Sequence, residues 1–209
     1  KDMVNQSIMP TPGSVMESTL ILRANIGNIM TIDVGGATTD VHSVSNPSDD
    51  YADYLEGEPL LQRSVEGDLG VFNNHEEVMK LYKENELVNK LSLDQEKLDK
   101  LLEEYTYIPR TLEQRKLVLE LAGKCVHVGL NRHIGDLKRV FTTMGQKIIP
   151  EGKDCTQVEH IVLTGGALIN LENTEDIVRE YISKNPTKLA PNRNVNIYKD
   201  HDYIMASVG

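Results

Sequence analysis

The sequence predicts an α/β domain built on a five-stranded mixed sheet with helices on its faces. Three observations carry that prediction. Two short apolar runs, Ile29–Val34 and Ile161–Leu163, each end on a pair of glycines. Three more strand-like segments, Val41–Val44, Leu60–Val65 and Val195–Tyr198, complete a set of five. Between them lie longer stretches whose apolar residues recur at helical spacing.

At the start of the chain, Thr11 is suited to cap a helix. Pro12 takes the first helical position, and Val15, Met16, Leu20 and Ile21 follow at helical spacing until Gly27. Ile29–Val34, the turn Gly35–Gly36 and Val41–Val44 read as a hairpin with a glycine tip. Asn46–Pro59, rich in Asp, Ser, Pro and Gly, is a surface loop. From His75 to Glu104 charged residues alternate with Val78, Leu81, Val88, Leu91, Leu98, Leu101 and Leu102, which predicts two surface helices broken near Ser92. After Pro109, Thr111 caps a long core helix whose Val118, Leu121, Ala122, Cys125 and Gly129 share a nearly uncharged face. Arg132–Gly145 reads as its continuation or as a second helix. Asn173–Ser183 is a further helix, and Asp202 begins another.

Composition narrows the function classes. The 209 residues carry a formal charge of −10, which argues against tracking nucleic acid or docking on anionic lipid. A chain of this length buries roughly 70% of its unfolded surface and needs no metal or disulfide staple. Two cysteines without a CxxC, and no apolar run long enough to span a membrane, fit a reducing cytoplasm. Lys1 at one end and an apolar, helix-like run, Tyr203–Gly209, at the other are expected of a piece of a longer protein.

The chemistry concentrates in two glycine motifs. In DVGGATTDV, Asp33–Val41, Gly35 and Gly36 let the backbone turn and turn its N–H groups toward an anion. Asp33, at the strand end, is placed to hold Mg²⁺ through water or to orient an attacking water. Thr38 offers a hydroxyl to terminal phosphates, and Asp40 fixes the turn. A plain glycine hairpin with acidic caps would produce the same pattern. In LTGGALIN, Leu163–Asn170, the glycines let backbone lie flat on a planar polar ligand such as adenosine, though a strand followed by Gly-Gly is also common punctuation. His127 and His133 are six apart and do not share a helix face as zinc ligands would. Cys125 reads as a small core residue and Cys155 as a loop residue.

Together and in this order, the two motifs resemble the second phosphate loop and the adenosine loop of the actin-like ATPase superfamily, whose domains are ribonuclease H-like. The strings MPTPGSVMEST, DVGGATTDVHSV, RSVEGDLGV and LTGGALI narrow the resemblance to the accessory protein family of adenosylcobalamin-dependent glutamate (methylaspartate) mutase, the MutL or GlmL type, unrelated to the mismatch-repair protein of the same name. That resemblance implies that residues 1–209 are the second, C-terminal half of an actin-like ATPase fold, with a helical insertion around 75–110 and no counterpart of the first phosphate-loop domain. It implies ATP or ADP and Mg²⁺ as cofactors, the mutase subunits as partners, and a chaperone-like role in releasing damaged cobalamin. It places Asp33 at the Mg²⁺ or the hydrolytic water. Gly35, Gly36, Ala37, Thr38 and Thr39 fall at the phosphates, and Gly165, Gly166 and Ala167 along adenosine. Glu66 falls at ribose or adenine, unless it is a buried partner of Arg63. Ala37 stands where many superfamily members have glycine. Two other functions remain open on the sequence: an interaction module that docks the mutase with nucleotide as a switch, its surface the charged 75–104 stretch, and an ATP-dependent hydantoinase-like enzyme.

Overall fold

A strand apolar along nearly its whole length is stable only where both faces are covered. The computed structural model, which describes residues 11–207 and side chains from Gly13 to Ala206, puts such a strand at the centre of the sheet. Helix α1 (Thr11–Ile26) leads into β1 (Ile29–Val34), β2 (Thr39–Val44) and β3 (Leu61–Glu66). Three short helices follow, α2 (His75–Met79), α3 (Glu86–Leu91) and α4 (Gln95–Glu103), and then the long α5 (Leu112–His133). A hairpin of β4 (Asp136–Thr142) and β5 (Gly145–Glu151) precedes β6 (His160–Thr164), α6 (Gly166–Asn170) and α7 (Thr174–Lys184). Strand β7 (Asn196–Lys199) and α8 (Ile204–Ser207) complete the described chain.

The main sheet has the order β3-β2-β1-β6-β7. β1 pairs antiparallel with β2, and β2 with β3, while β1–β6 and β6–β7 are parallel. This is the five-stranded mixed sheet expected from the sequence. Met30, Ile32, Val34, Val41, Ile161 and Leu163 join the main core with Leu117, Leu121 and Cys125 of α5. Side chains alternate across a strand, so Ile29, Val44 and Val162 lie on the other face, in a second cluster with Val15 of α1 and Met205 of α8. There Thr19 and Thr31 share a hydroxyl contact of 2.9 Å, and Ser18 donates to the Met205 carbonyl.

Helix α5 starts where the sequence places it. The Thr111 hydroxyl accepts from the Gln114 amide and the Gln114 side chain accepts from the Thr111 amide, a reciprocal cap. Val118, Leu121, Ala122, Cys125 and Gly129 are all buried on its inner side. The helical cap assigned to Thr11 and Pro12 concerns side chains outside the described ones, as do the first ten residues and the last two.

Two expectations are corrected. Arg132–Gly145 is not helical beyond His133: Ile134 is extended, and Val140, Phe141 and Thr142 pair across a turn with Gly145, Gln146 and Lys147. The β-branched and aromatic content of Val140–Thr143, with Gly145 two residues on, is the hairpin signal that the helical reading overrode. The 75–104 stretch forms three helices rather than two. The break at Ser92 is present, with φ 55°, and a second falls at Asn85, with φ 59°. Asparagine tolerates that left-handed conformation better than most residues, and Asn85 stands immediately before α3, so the new helix starts there without glycine or proline.

Truncating Thr111 to Ala removes the cap of the longest helix. The urea unfolding midpoint should fall by the equivalent of about 1 kcal/mol, whereas Thr111→Ser should stay close to wild type.

Candidate functional site

The two glycine motifs meet at the ends of adjacent parallel strands. Asp33 of β1 pairs in register with Thr164 of β6, so the turn after β1 and the turn after β6 lie side by side. Gly165 has φ 87°, and a Cβ there would stand 2.4 Å from the Val34 carbonyl oxygen and 2.5 Å from Asp33 Oδ1. Only glycine satisfies both demands.

The first loop is held from behind by its carbonyls. Gly35 O accepts from the Val71 amide, and Gly36 O from the amides of Phe72 and Asn73. Asn74 Nδ2 donates to the carbonyls of Ala37 at 2.6 Å and Gly67 at 2.8 Å. Gly70 lies so close that an added Cβ would stand 2.3 Å from the Ala37 carbonyl carbon. The Gly35 amide bonds Thr38 O, but among the described residues no protein group accepts from the amides of Gly36, Ala37 or Thr38. Residues 71–74 thus clamp the loop by its acceptors and leave three donors for something else.

A cleft of about 600 Å³ opens between the motifs. Gly36 lines one side, Gly166 and Ala167 the other, and Phe72, Tyr105, Tyr107 and Tyr203 supply aromatic walls, with Arg115 at hand. Tyr107 stands edge-on to Phe72 at 5.3 Å between centroids, and its ring approaches Gly36. Tyr105 donates its hydroxyl to the Val71 carbonyl. Sequence reasoning missed this aromatic wall. The cue was the run Tyr105-Thr106-Tyr107-Ile108-Pro109 in a chain with only eight tyrosines, two phenylalanines and no tryptophan.

Other proposed site residues are placed differently. Thr39 is fully buried, and its hydroxyl donates to the Leu69 carbonyl. The Thr38 hydroxyl donates to Asp40 Oδ2. Glu66 pairs with Arg132 near the end of α5, whereas the cleft meets that helix at Arg115 and Val118, about 20 Å back along its axis. Arg63, the alternative partner for Glu66, instead bonds Asp40 at 2.9 Å. His133 bridges the hydroxyls of Ser43 and Ser64, and His127 bonds the Ile177 carbonyl. Both cysteines are buried free thiols, pushed up to about 12 by burial.

Three carboxylates cluster beside the first loop, and two are engaged. Asp40 is held by Arg63 and Thr38. Asp200 accepts from Thr164 and from the amides of Ile204 and Met205, capping α8. The Asp33 carboxylate has no hydrogen bond or ion pair among the described residues. Burial, then the charges of Asp40 and Asp200, raise its pKa to about 6. No group of three or more ligating side chains able to hold a metal is present among the described residues. A single unpaired carboxylate suits a cation held through its own water shell, the habit of Mg²⁺, and not one caged by protein.

A family model described as MutL protein matches residues 1–209. Protein MutL of Clostridium tetanomorphum is 30% identical over 228 residues, which cover 100% of this chain and 48% of that protein. The chain therefore spans about half the length of the curated relative it matches. No helix among the described residues is long and apolar enough to cross a membrane.

The raised pKa of Asp33 makes a signed prediction. Its folded pKa lies above the ordinary 3.8, so its contribution to stability is full below about pH 4 and is lost as pH rises through 6, on the order of 3 kcal/mol. Burial lowers His42 to about 4 and His133 to about 3, and these contribute in the opposite sense: stability present above 6.5 is lost as pH falls. Asp33→Asn should therefore raise the urea midpoint at pH 7.5 and steepen the loss between pH 6 and 4. An unchanged midpoint at pH 7.5 would remove the buried charge from the account.

Proposed function

The chain belongs to the MutL protein family, and on that premise we propose that it forms the nucleotide-binding wall of an actin-like ATPase, an accessory factor of adenosylcobalamin-dependent glutamate mutase. The observation that carries the reading is the convergence of two glycine loops, roughly 130 residues apart in sequence, on one aromatic-walled cleft. The strand order, an antiparallel three-strand unit continued by two parallel strands, supports a ribonuclease H-like domain.

In this reading the free amides of Gly36, Ala37 and Thr38 receive the β- and γ-phosphates of ATP, and Asp33 holds hydrated Mg²⁺ or orients water. Gly166 and Ala167 lie along adenosine, with the Gly165 turn fixing their distance from the phosphates. The cation would supply charge neutralisation on the phosphates. Phosphoryl transfer to water depends on positioning and charge stabilisation from both sides, so one wall binds without turning over. The ATPase activity and the mutase as partner belong to the whole protein in this proposal.

A second reading, nucleotide as a switch for partner docking, is favoured by one observation. Both ends of the 75–110 segment rest on the phosphate loop, through Asn74 on Ala37 and Tyr107 on Gly36.

Titration calorimetry with ATP and Mg²⁺ should give weak binding to the 209-residue chain, abolished by Gly36→Val, whose side chain would meet Tyr107 and Phe72. Steady-state hydrolysis by the chain alone would sink the one-wall reading. In a protein carrying both walls, Asp33→Ala should abolish ATPase activity and coenzyme exchange on inactivated mutase.

A further inference from the structure

The hairpin β4–β5 carries the two most exposed large apolar side chains among the described residues, Met144 at 98% and Phe141 at 86%, with Ile148 also exposed. From Leu137 to Ile148 it holds Lys138, Arg139 and Lys147 and no acid, in a chain of net charge −10. Beside it runs the loop 46–59, with Asp49, Asp50, Asp53, Glu56 and Glu58 all exposed and no Lys or Arg. Tyr54 and Leu60 give that loop an exposed apolar component. The two patches are fixed next to each other. Lys147 Nζ lies 4.8 Å from the Tyr54 ring centroid, and Lys153, just past β5, donates to the carbonyls of Ser45, Pro59 and Leu60.

By contrast, the 75–104 helices turn Val78, Leu87, Val88, Leu91, Leu98 and Leu101 into the core and keep only a solvated charged side outward. Tyr107, Ile108 and Leu112 are exposed too, but the two most exposed apolar side chains among the described residues, and the basic residues beside them, are on the hairpin. Its occupant must bring acid and apolar area together. A lipid or nucleic-acid surface brings fixed negative charge that the adjacent acidic loop repels. A second copy of this chain brings what is needed. Two patches of opposite sign lying side by side complement the same pair rotated about a two-fold axis between them, the requirement of an isologous interface.

We propose that this face is a self-association surface, in which the hairpin tip of each copy seats on the acidic loop 46–59 of the other. The proposal goes beyond the nucleotide reading and does not depend on it. Phe141 and Met144 pack against Tyr54 and Leu60 of the second copy, while Arg139 and Lys147 face its carboxylates.

Sedimentation equilibrium of the purified 209-residue chain should show a dimer whose dissociation constant rises with salt. Phe141→Ser with Met144→Ser, at exposed positions that leave the fold intact by circular dichroism, should weaken the dimer at least about tenfold. Charge reversal supplies the sharper test. Arg139→Glu with Lys147→Glu should give a monomer, as should Asp49→Lys with Asp50→Lys and Asp53→Lys. An equimolar mixture of the two should restore a dimer, because each reversed hairpin then meets a reversed loop and each native hairpin a native one. A wild-type chain that stays monomeric at all concentrations, or a dimer indifferent to these substitutions, overturns the proposal. So does a monomer that sediments with phosphatidylserine vesicles through the hairpin, which would assign the patch to a membrane surface.

Discussion

The approach of Gly165 to the end of β1 is the constraint on which the rest of the site depends. β1 is hydrogen-bonded on both sides, to β2 and to β6, so its position is set by two ladders. With no side chain at Gly165, the turn after β6 closes onto Val34 and Asp33 at contact distance. That closeness does two things at once. It brings the Gly166 turn alongside the Gly36 turn, at the cleft, and it shields much of the Asp33 carboxylate from water. Cleft and perturbed acid are two results of one backbone approach.

Electrostatics sort the three neighbouring carboxylates by their partners. Asp40 has Arg63 and the Thr38 hydroxyl as partners, and Asp200 has two amides and a hydroxyl. Asp33 faces both of them with nothing to offset the repulsion. A site arranged this way favours a cation or a proton near Asp33. The loop beside it favours an anion, because the carbonyls of Gly35, Gly36 and Ala37 are consumed by residues 71–74 and the amides of Gly36, Ala37 and Thr38 are not. Opposite preferences within one strand end are what a metal–phosphate pair requires.

Most of the fold was legible because its signals are local and repetitive. The strand Ile29–Val34, the cap at Thr111 and the uncharged face of α5 each follow from patterns that tertiary context reinforces. The β4–β5 hairpin was not legible as such, since it packs little of its surface and so shows no clean alternation of apolar and polar residues. At the site, the glycines declared themselves by spacing. Thr39 and Glu66 did not, because a threonine facing a loop and one facing a helix look alike in sequence. Which arginine a glutamate finds depends on α5 crossing β3, a contact between residues 66 positions apart.

Gly129 of α5 packs on Thr39 so tightly that a Cβ would meet Thr39 Cγ2 at 3.3 Å, and the hydroxyl of the same threonine holds Leu69, next to the Gly70 that abuts Ala37. Helix, strand and loop are thereby locked into one chain of contacts. A side chain at 129 would require the Thr39 methyl to give by a few tenths of an ångström, which strains the hydroxyl contact to Leu69 and, through it, the loop. Substitutions at these positions should therefore be non-additive, each changing the effect of the next.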